Sequence, residues 1–488
     1  MVAQDDLPDF PTPIVIDDNR GRSKWTVSIP RNYHFPLSME DYSEMMGHCR
    51  EAAIRQTSDS ETTNSQAPLK SRGRNHFVDV AEAEKTHLLP SSDILPSKRL
   101  RTGNFVGLTD VDHLPVCQSS MTYVLESTNA GIGHALMSMW TSYGIARELG
   151  KSFFIDDSRW AYGLYTDIFQ APPVPKCQPA LRHQILPCPA EARHLVVSNT
   201  NAKEILSALV SKIELDHKIG ETQQLFNLAR AGYLAMFKLN KGDESYTDKR
   251  IHEILSKAEA HATTTTRSPV IGLHIRHGDR HPLEFQYKDT YIPAEVYLGK
   301  VHRLIDEHYN ETAGIDYEGD RNSVIMLASD DPNTYQEDEL SSLVPAQDRI
   351  QLASKDNIED ANNDPRVLHH FVEDTFGWEG GFYAPIFWHL GSEAKDNSAN
   401  APAASPYLSE TQVVSKMRPS QQTLKLRSLL GRAYMMDLAV LSGAGDKVVC
   451  AVSAMGCRIL GVMKGWDGIE AGTWINVDGN HGWRGLDL

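Results

Sequence analysis

The chain has 488 residues and a formal net charge of −16 at pH 7. It is longer than the size at which single hydrophobic cores stop growing, so two or more domains are expected. The negative charge argues against nucleic acid or an anionic membrane surface as a partner. The longest apolar stretch, residues 448–463, contains Arg458 and several polar residues. It predicts a buried strand, turn and helix, and no membrane span is expected in this chain.

Residues 1–110 form the first predicted unit, an N-terminal extension. Its first 30 residues are rich in Pro and Asp and are predicted to be extended, and a helix is predicted over 41–55. The Ser-, Thr- and Asn-rich segment near 56–75 predicts a disordered linker. No basic region followed by an apolar core opens the chain, so no signal peptide is expected.

A first series of strands and helices predicts a Rossmann-like domain over 111–260. The pattern runs strand, glycine turn, helix, strand, with the turn at Gly131 and Gly133. Its elements are predicted at 121–125, 135–149 and 153–157. This is a βαβ unit with a glycine turn at the start of the helix.

A second series predicts another Rossmann-like domain over 261–488. Strands are predicted at 270–275, 324–328 and 447–452, and helices at 294–309 and 424–442. Residues 333–422 interrupt the series and are predicted to be an insertion with a mobile loop, because 395–406 is rich in Ala, Ser, Asn and Pro. The chain is therefore predicted to be an α/β protein with two Rossmann-type domains that face a cleft.

The most informative segment is the strand 270–275 and the loop after it. Ionisable residues crowd the end of this strand: His274, Arg276, His277, Asp279 and Arg280. Ligands of open α/β sheets bind at such strand ends, and a guanidinium group is a charged fork suited to a diphosphate. An Arg–Asp ion pair at a surface loop explains this segment equally well when it is taken alone.

The six cysteines show no CxxC pair and no Cys/His cluster at zinc spacing, so a structural zinc is not expected. They are Cys49, Cys117, Cys177, Cys188, Cys450 and Cys457. An even number permits disulfides without requiring them.

Five blocks in the same order, between about Cys117 and Asp478, resemble the α-1,6-fucosyltransferase family. This family includes the N-glycan core fucosyltransferases and the rhizobial nodulation fucosyltransferases, with the protein O-fucosyltransferases as more distant relatives. The first block pairs the glycine turn with Ser158-Arg159-Trp160-Ala161. The second, His274–Arg280, resembles His-Val-Arg-Arg-Thr-Asp-Lys. The others are Ser329-Asp330-Asp331-Pro332, the helix segment from Met436 to Ser442, and the segment from Cys450 to Arg458.

The resemblance implies a GT-B fold in which the first domain lies on the acceptor side and the second binds GDP-fucose. It implies that His274 and Asp437 bind the guanine and that Arg276 binds the diphosphate. A charge at a helix N-terminus is the alternative for Asp437. The family needs no metal and no cofactor; a metal site at Asp330 and Asp331 is the alternative to a donor-site loop. The remaining implied donor-site residues are Gly131, Gly133, Trp160, Tyr297 and Ser453, and Trp160 fits stacking on the base and a place in the core equally well.

The resemblance also implies the catalytic residues. Glu284 corresponds to the family's proposed catalytic base, which would deprotonate the acceptor hydroxyl, and Asp279 to a second acidic residue. A solvated loop glutamate is the alternative for Glu284. The chain departs from the family at Arg280, where the family has lysine, and at Ala454, where it has serine. Arginine keeps the charge but does not readily share a proton.

The family pairings imply two disulfides, Cys117–Cys177 and Cys450–Cys457, and leave the state of Cys49 and Cys188 open. Disulfides imply an oxidising compartment. The expected location is the Golgi lumen if the N-terminus is incomplete and lacks an anchor, and otherwise the cytoplasm.

The function implied is an inverting, metal-independent transfer of fucose from GDP-fucose to a hydroxyl of a glycan or glycoprotein, by analogy with α-1,6 linkage. Protein O-fucosyl transfer or transfer from another GDP-sugar is the alternative among enzymes. A non-catalytic nucleotide- or glycan-binding protein of the same fold is the alternative from another class, because of Arg280 and Ala454.

Overall fold

The structure is a computed structural model. It describes residues 7–17, 21–63, 76–90, 105–109, 113–126, 131–213, 219–262, 267–277, 283, 285–287, 290–312, 321–351 and 421–486, without the side chains of 56–63, 422 and 423.

The N-terminal part begins with a hairpin and a long helix. Strands β1 (Thr12–Asp17) and β2 (Ser23–Ser28) pair antiparallel, and α1 (Met39–Thr63) and α2 (Val80–Lys85) follow. Helix α1 continues through 56–63, so the prediction of a disordered linker was wrong for these residues. They contain no Gly or Pro that would end a helix, and adding residues to an existing helix is easy. Residues 64–75 lie outside the described part of the chain.

This N-terminal part packs on the first sheet and does not form a separate arm. Cys49 of α1 is joined to Cys188 by a disulfide. Trp25 and Tyr42 lie in the same buried cluster as Leu186. The described part of 1–110 is therefore joined to the first sheet by a disulfide and a shared buried cluster.

The first sheet has three parallel strands in the order β4-β3-β5. They are β3 (Ser120–Val124), β4 (Ser152–Asp156) and β5 (His194–Ser198). The helices of this region are α3 (Ile132–Glu148), α4 (Tyr165–Ile168), α5 (Ala202–Val210) and α6 (Glu221–Met236). Helices α3 and α6 pack with their backbones in close approach, because a Cβ atom on Gly144 would lie 2.3 Å from the carbonyl oxygen of Leu228.

The second sheet has five parallel strands in the order β10-β9-β6-β7-β8. They are β6 (Val270–Ile275), β7 (Val324–Ser329), β8 (Val344–Pro345), β9 (Lys447–Cys450) and β10 (Trp474–Asn476). The helices are α7 (Lys241–Ala260), α8 (Ala294–Thr312), α9 (Gln421–Ala444), α10 (Met455–Lys464) and α11 (Trp466–Glu470). Two parallel sheets in one chain confirm the predicted α/β fold class.

Two predicted boundaries differ from the packing. Helix α7 was predicted in the first domain, but it packs against α9 and β7 of the second. Strand β8 lies inside the predicted insertion 333–422, yet it pairs with β7 as part of the sheet. A two-residue strand is too short to produce a sequence pattern, and an amphipathic helix does not reveal which sheet it covers. Residues 352–420 lie outside the described part, and the predicted cleft stays a prediction.

Three disulfides join the six cysteines. Two of them, Cys117–Cys177 and Cys450–Cys457, are the pairs that the family resemblance implies, and Cys49–Cys188 is the third. Among the described helices, none has the length and apolar character needed to cross a lipid bilayer.

Candidate functional site

The candidate site lies at the carboxyl end of β6, where the strand order of the second sheet reverses. The chain goes from β6 to β7 on one side, whereas β9 pairs with β6 on the other. Open α/β sheets bind ligands in the crevice at such a reversal. The residues that follow β6 and β9 are therefore placed where a ligand is expected.

His274 is the residue before the last in β6, and its side chain is buried. Its Nδ1 atom has no hydrogen-bond partner among the described residues. Burial, with the positive charge of Arg276 acting in the same direction, lowers the pKa of His274 to about 4. The imidazole is therefore neutral near pH 7 and can both donate and accept one hydrogen bond.

Asp437 presents a second buried polar group without a partner. It lies in the second half of α9, so the alternative that it is a charge at the helix N-terminus was wrong. The side chain is 7% exposed, and within the described residues its Oδ1 atom has no hydrogen-bond partner. Burial raises the pKa of Asp437 well above its usual value, and the backbone N–H of Gln347 opposes this shift. A ligand that donates hydrogen bonds to the carboxylate would relieve this cost of burial.

Tyr434 precedes Asp437 by about one helical turn, and its ring lies near that of His274. Its ring centroid lies 6.3 Å from that of His274. Burial raises the pKa of Tyr434; Arg276 opposes the rise, and Asp330 and Asp437 add to it. One tyrosine hydroxyl thus lies in the electrostatic field of all three charged side chains.

Helix α10 begins beside the same pocket. A Cβ atom on Gly456, in its first turn, would lie 2.5 Å from Tyr434 Oη and 2.7 Å from His274 Nε2. A side chain at this position would collide with the pocket wall. Ser453, one of the predicted donor-site residues, lies half-buried in the turn that precedes α10.

Arg276 is held at the strand end by Asp330, which follows β7. Its Nη1 atom donates to Asp330 Oδ2 at 2.7 Å, and the other carboxylate oxygen, Oδ1, accepts from the backbone N–H of His277 at 2.8 Å. The Asp330 side chain is 3% exposed and that of Arg276 is 20% exposed. An Arg–Asp ion pair therefore exists here, but it joins two neighbouring strand ends and fixes the direction of the guanidinium group.

His277 makes a second pair with the next acidic residue. Its Nδ1 atom lies 3.1 Å from Asp331 Oδ2 and 3.3 Å from Thr334 Oγ1. The ring stacks on Tyr291 with centroids 4.3 Å apart. The sequence identified His277 only as one of several ionisable residues, because its partner lies more than fifty residues away in the chain.

The predicted glycine turn of the first sheet reaches this region. Gly131 is the N-cap of α3, and a Cβ atom on Gly133 would lie 2.9 Å from Met455 Cγ at the start of α10. The N-termini of α3 and α10 therefore lie close together. Tyr162 accepts a hydrogen bond from the Ile132 backbone, and Arg276 acts on its pKa, so the first unit also contacts the surroundings of the guanidinium group. Helix N-termini favour anions.

Two predicted donor-site residues lie in the core. Trp160 is buried and packs against Tyr162 and Tyr165, which favours the core alternative over stacking on a base. Tyr297 of α8 is buried in the cluster that contains Ile271. Asp279, Arg280 and Glu284 lie outside the described residues.

The acidic pair Asp330 and Asp331 is occupied by Arg276 and His277. In the part of the chain that the structure describes, no group of three or more His, Cys, Asp or Glu side chains is placed to hold a metal ion. Asp330 thus binds the guanidinium group of Arg276, and Asp331 binds the imidazole of His277.

The fold and the site define an α/β protein with a cluster of buried polar side chains at the strand reversal of its second sheet. No protein-family model matches the sequence, and no curated protein matches it. Solved structures similar to this chain include NodZ α-1,6-fucosyltransferase soaked with GDP-fucose, with 11% identity, a TM-score of 0.31, and coverage of 71% of this chain and 92% of that one. Fucosyltransferase NodZ from Bradyrhizobium has 9% identity, a TM-score of 0.30, and coverage of 70% and 92%. Its Se-Met form has 10% identity, a TM-score of 0.28, and coverage of 70% and 91%. A similarity of this size does not assign a family or a substrate to the chain.

Proposed function

We propose that this protein is an inverting glycosyltransferase that moves fucose from GDP-fucose to a hydroxyl of a glycan or glycoprotein. One observation carries the proposal. Two buried polar atoms have no partner in the described part of the chain: His274 Nδ1 near the end of β6 and Asp437 Oδ1 on α9. Tyr434 lies near the His274 ring, and both Arg276 and Asp437 act on its pKa. Native proteins rarely leave buried polar atoms unsatisfied, and such atoms at a strand reversal point to a ligand that completes them.

Guanine offers hydrogen-bond donors for the Asp437 carboxylate, whose Oδ1 atom has no partner in the described part of the chain. An ionised carboxylate accepts hydrogen bonds from the N1–H and the exocyclic amine of guanine, and uracil does not offer this pair of donors. The neutral imidazole of His274 adds one donor or acceptor for the rim of the base. These properties favour GDP over UDP as the nucleotide of the donor.

Arg276 supplies the charge for the diphosphate. Its guanidinium group is fixed by Asp330 and has the planar, charged fork of N–H groups that suits phosphate oxygens. The N-termini of α3 and α10 add a favourable field for an anion. As the bond between the sugar and the diphosphate breaks, negative charge builds up on GDP, and Arg276 stabilises that charge without a metal ion.

The transfer needs a proton acceptor for the incoming hydroxyl. Family resemblance assigns this role to Glu284, assisted by Asp279, with Arg280 in place of the family's lysine. It also gives α-1,6 transfer to the core GlcNAc of an N-glycan as the default acceptor reaction, by analogy alone. The three disulfides support an oxidising compartment, for which we propose the Golgi lumen.

A thermal-shift panel with GDP, UDP and ADP, followed by a GDP-release assay with GDP-fucose in the presence and absence of EDTA, tests the proposal. We expect GDP at a hundred times its Kd to add about 2.7 kcal/mol to the free energy of unfolding, and UDP and ADP to add far less. Turnover should survive EDTA. Equal shifts with UDP would remove the guanine assignment. GDP binding without turnover would favour the non-catalytic nucleotide-binding alternative, and complete, metal-reversible loss on chelation would return Asp330 and Asp331 to a metal site.

A further inference from the structure

His277 and Asp331 form a carboxylate–imidazole pair beside the proposed diphosphate site. A carboxylate only accepts hydrogen bonds, so Nδ1 of His277 carries the proton that bridges the 3.1 Å to Asp331. In the neutral ring, Nε2 is then the nitrogen with a free lone pair. Within the described residues Nε2 has no hydrogen-bond partner, and 15% of the His277 side chain is exposed.

The ring of His277 is held in one orientation. Asp331 and Thr334 face Nδ1, Tyr291 stacks against the ring, and Asp330 accepts from the backbone N–H. Asp331 is fixed in turn, because its Oδ1 atom accepts from the backbone N–H of Asn333. A base oriented by a third group in this way is the arrangement that general-base catalysis uses.

Arg276 and His277 have different side-chain neighbours. Arg276 pairs with Asp330 and acts on the pKa of Tyr434 of α9 and of Tyr162. His277 contacts Asp331, Thr334 and Tyr291. A transfer with inversion needs one group beside the leaving diphosphate and another beside the incoming oxygen. Two adjacent residues with different neighbours at one strand end fit these two roles.

We infer that His277, oriented by Asp331, is the general base of the proposed transfer. The acceptor oxygen forms a bond to the anomeric carbon while its proton moves to Nε2 of His277. The bond between that carbon and the β-phosphate oxygen breaks, and its electron pair leaves with GDP beside Arg276. The imidazolium then returns its proton to solvent. This inference rests on the proposed function and assigns to His277 the role that the family resemblance gives to Glu284.

Three variants of the full chain separate a base from a residue that only holds the loop. His277→Ala removes the ring, His277→Phe keeps a ring that stacks on Tyr291, and His277→Asn keeps a donor for Asp331 without a basic nitrogen. His302→Ala, at an exposed position of α8, is the matched control. The measurements are GDP release from GDP-fucose with water as acceptor, GDP affinity by titration calorimetry, and unfolding by circular dichroism.

All three His277 variants should lose about a hundred- to ten-thousand-fold in kcat while GDP affinity stays within a few-fold. Added imidazole should restore part of the rate of the alanine variant, which has room for it, and not that of the phenylalanine variant. His302→Ala should retain most of its rate. Full activity in His277→Asn, or a rate loss confined to Glu284→Gln, would overturn the inference while the proposed function stands. A wild-type protein that binds GDP but never turns over GDP-fucose would overturn both.

Discussion

The carboxyl ends of the two parallel sheets carry opposite chemistry. At the first sheet, the buried residue Glu126 follows β3 and Asp156 is the last residue of β4, and burial raises the pKa of both. Arg159 accompanies them, with Nη1 3.6 Å from Glu126 Oε2. At the second sheet, Arg276 and His277 follow the central strand, each paired with one acid. The proposed nucleotide site therefore has a guanidinium and an imidazole group at its strand end, whereas two buried carboxyl groups lie at the first.

The two ends also differ in what covers them. The N-terminal part covers the end of the first sheet. Arg159 donates a hydrogen bond to the carbonyl oxygen of Pro36, and Tyr42 of α1 is buried where Glu126 and Asp156 help to raise its pKa. The Cys49–Cys188 disulfide ties α1 to this region. At the second, Gly456 and the N-termini of α3 and α10 lie beside the strand end, together with Tyr434. Parallel strands thus end at a structural cap in the first sheet and at the proposed ligand site in the second.

The largest expected effect comes from Arg276 at the second sheet, and Arg159 at the first sheet provides the control. Arg276→Ala should lower GDP-fucose turnover by about a hundred- to a thousand-fold, because charge on the leaving diphosphate loses its stabilising donor. Arg276→Lys should recover little, since lysine lacks the planar fork. Arg159→Ala is the control at the first sheet and should leave GDP affinity unchanged. Steady-state kinetics and calorimetry measure both quantities. Equal losses from Arg159→Ala would remove the distinction between the two ends.

Loss of the disulfide that ties α1 to the first sheet should lower stability and leave GDP affinity unchanged. The double variant Cys49→Ser, Cys188→Ser should lower the free energy of unfolding by about 2–4 kcal/mol, because the disulfide closes a long loop of the unfolded chain. GDP affinity measured below the transition should remain at the wild-type value. A large loss of affinity in the folded variant would mean that the N-terminal part contributes to the nucleotide site.

Asp437→Asn should weaken GDP binding about ten- to a hundred-fold, because a charged hydrogen bond contributes roughly 1.5–3 kcal/mol. The preference for GDP over UDP should fall by the same factor. Glu126→Gln, a buried acid of the first sheet, is the comparison variant and should not change this preference. Titration of both nucleotides against the two variants measures it, and an unchanged preference in Asp437→Asn would place the base elsewhere.

The smallest effect concerns pH. The folded, ligand-free protein holds the proton of Asp437 more tightly than the unfolded chain, because burial raises its pKa. The stability contributed by the protonated group is complete below the unfolded pKa of about 3.9 and is lost as pH rises through the folded pKa. Relative to wild type, Asp437→Asn should therefore gain at most about 1.4 kcal/mol of stability per pH unit across this range. Denaturant unfolding at several pH values measures the difference, and a constant difference would show that folding does not change the pKa of Asp437.

Sequence patterns were sufficient for the regular elements around the site. The apolar run of β6 and its break into Arg276 identified the central strand and its end, and β7 and β9 followed from similar runs. The hairpin of β1 and β2 was not identified, because its Pro- and Asp-rich surroundings resemble an extended tail. Strand β8 exists only through its pairing with β7, a contact that no local pattern encodes.

Sequence motifs identified single residues of the candidate site. They did not identify pairs of residues that are distant in the chain and meet only in the fold. His274, Arg276 and Asp437 were identified by their motifs. The pairing of His277 with Asp331, and the position of Tyr434 between His274 and Asp437, depend on how β6, β7 and α9 pack. Spacing on α9 was the one available signal, since Tyr434 lies three residues before Asp437 and hence on the same face. Trp160 lies in the core because neighbouring aromatic residues surround it, which its own motif did not reveal.

A crystal structure of the full chain with GDP is the most direct test of the central claim that the second sheet binds the nucleotide. We expect the N1–H and exocyclic amine of the guanine within hydrogen-bond distance of Asp437, the ring edge against His274, and the diphosphate in contact with Arg276. A nucleotide at the end of the first sheet, or one at the second sheet whose base does not touch Asp437, would contradict the claim.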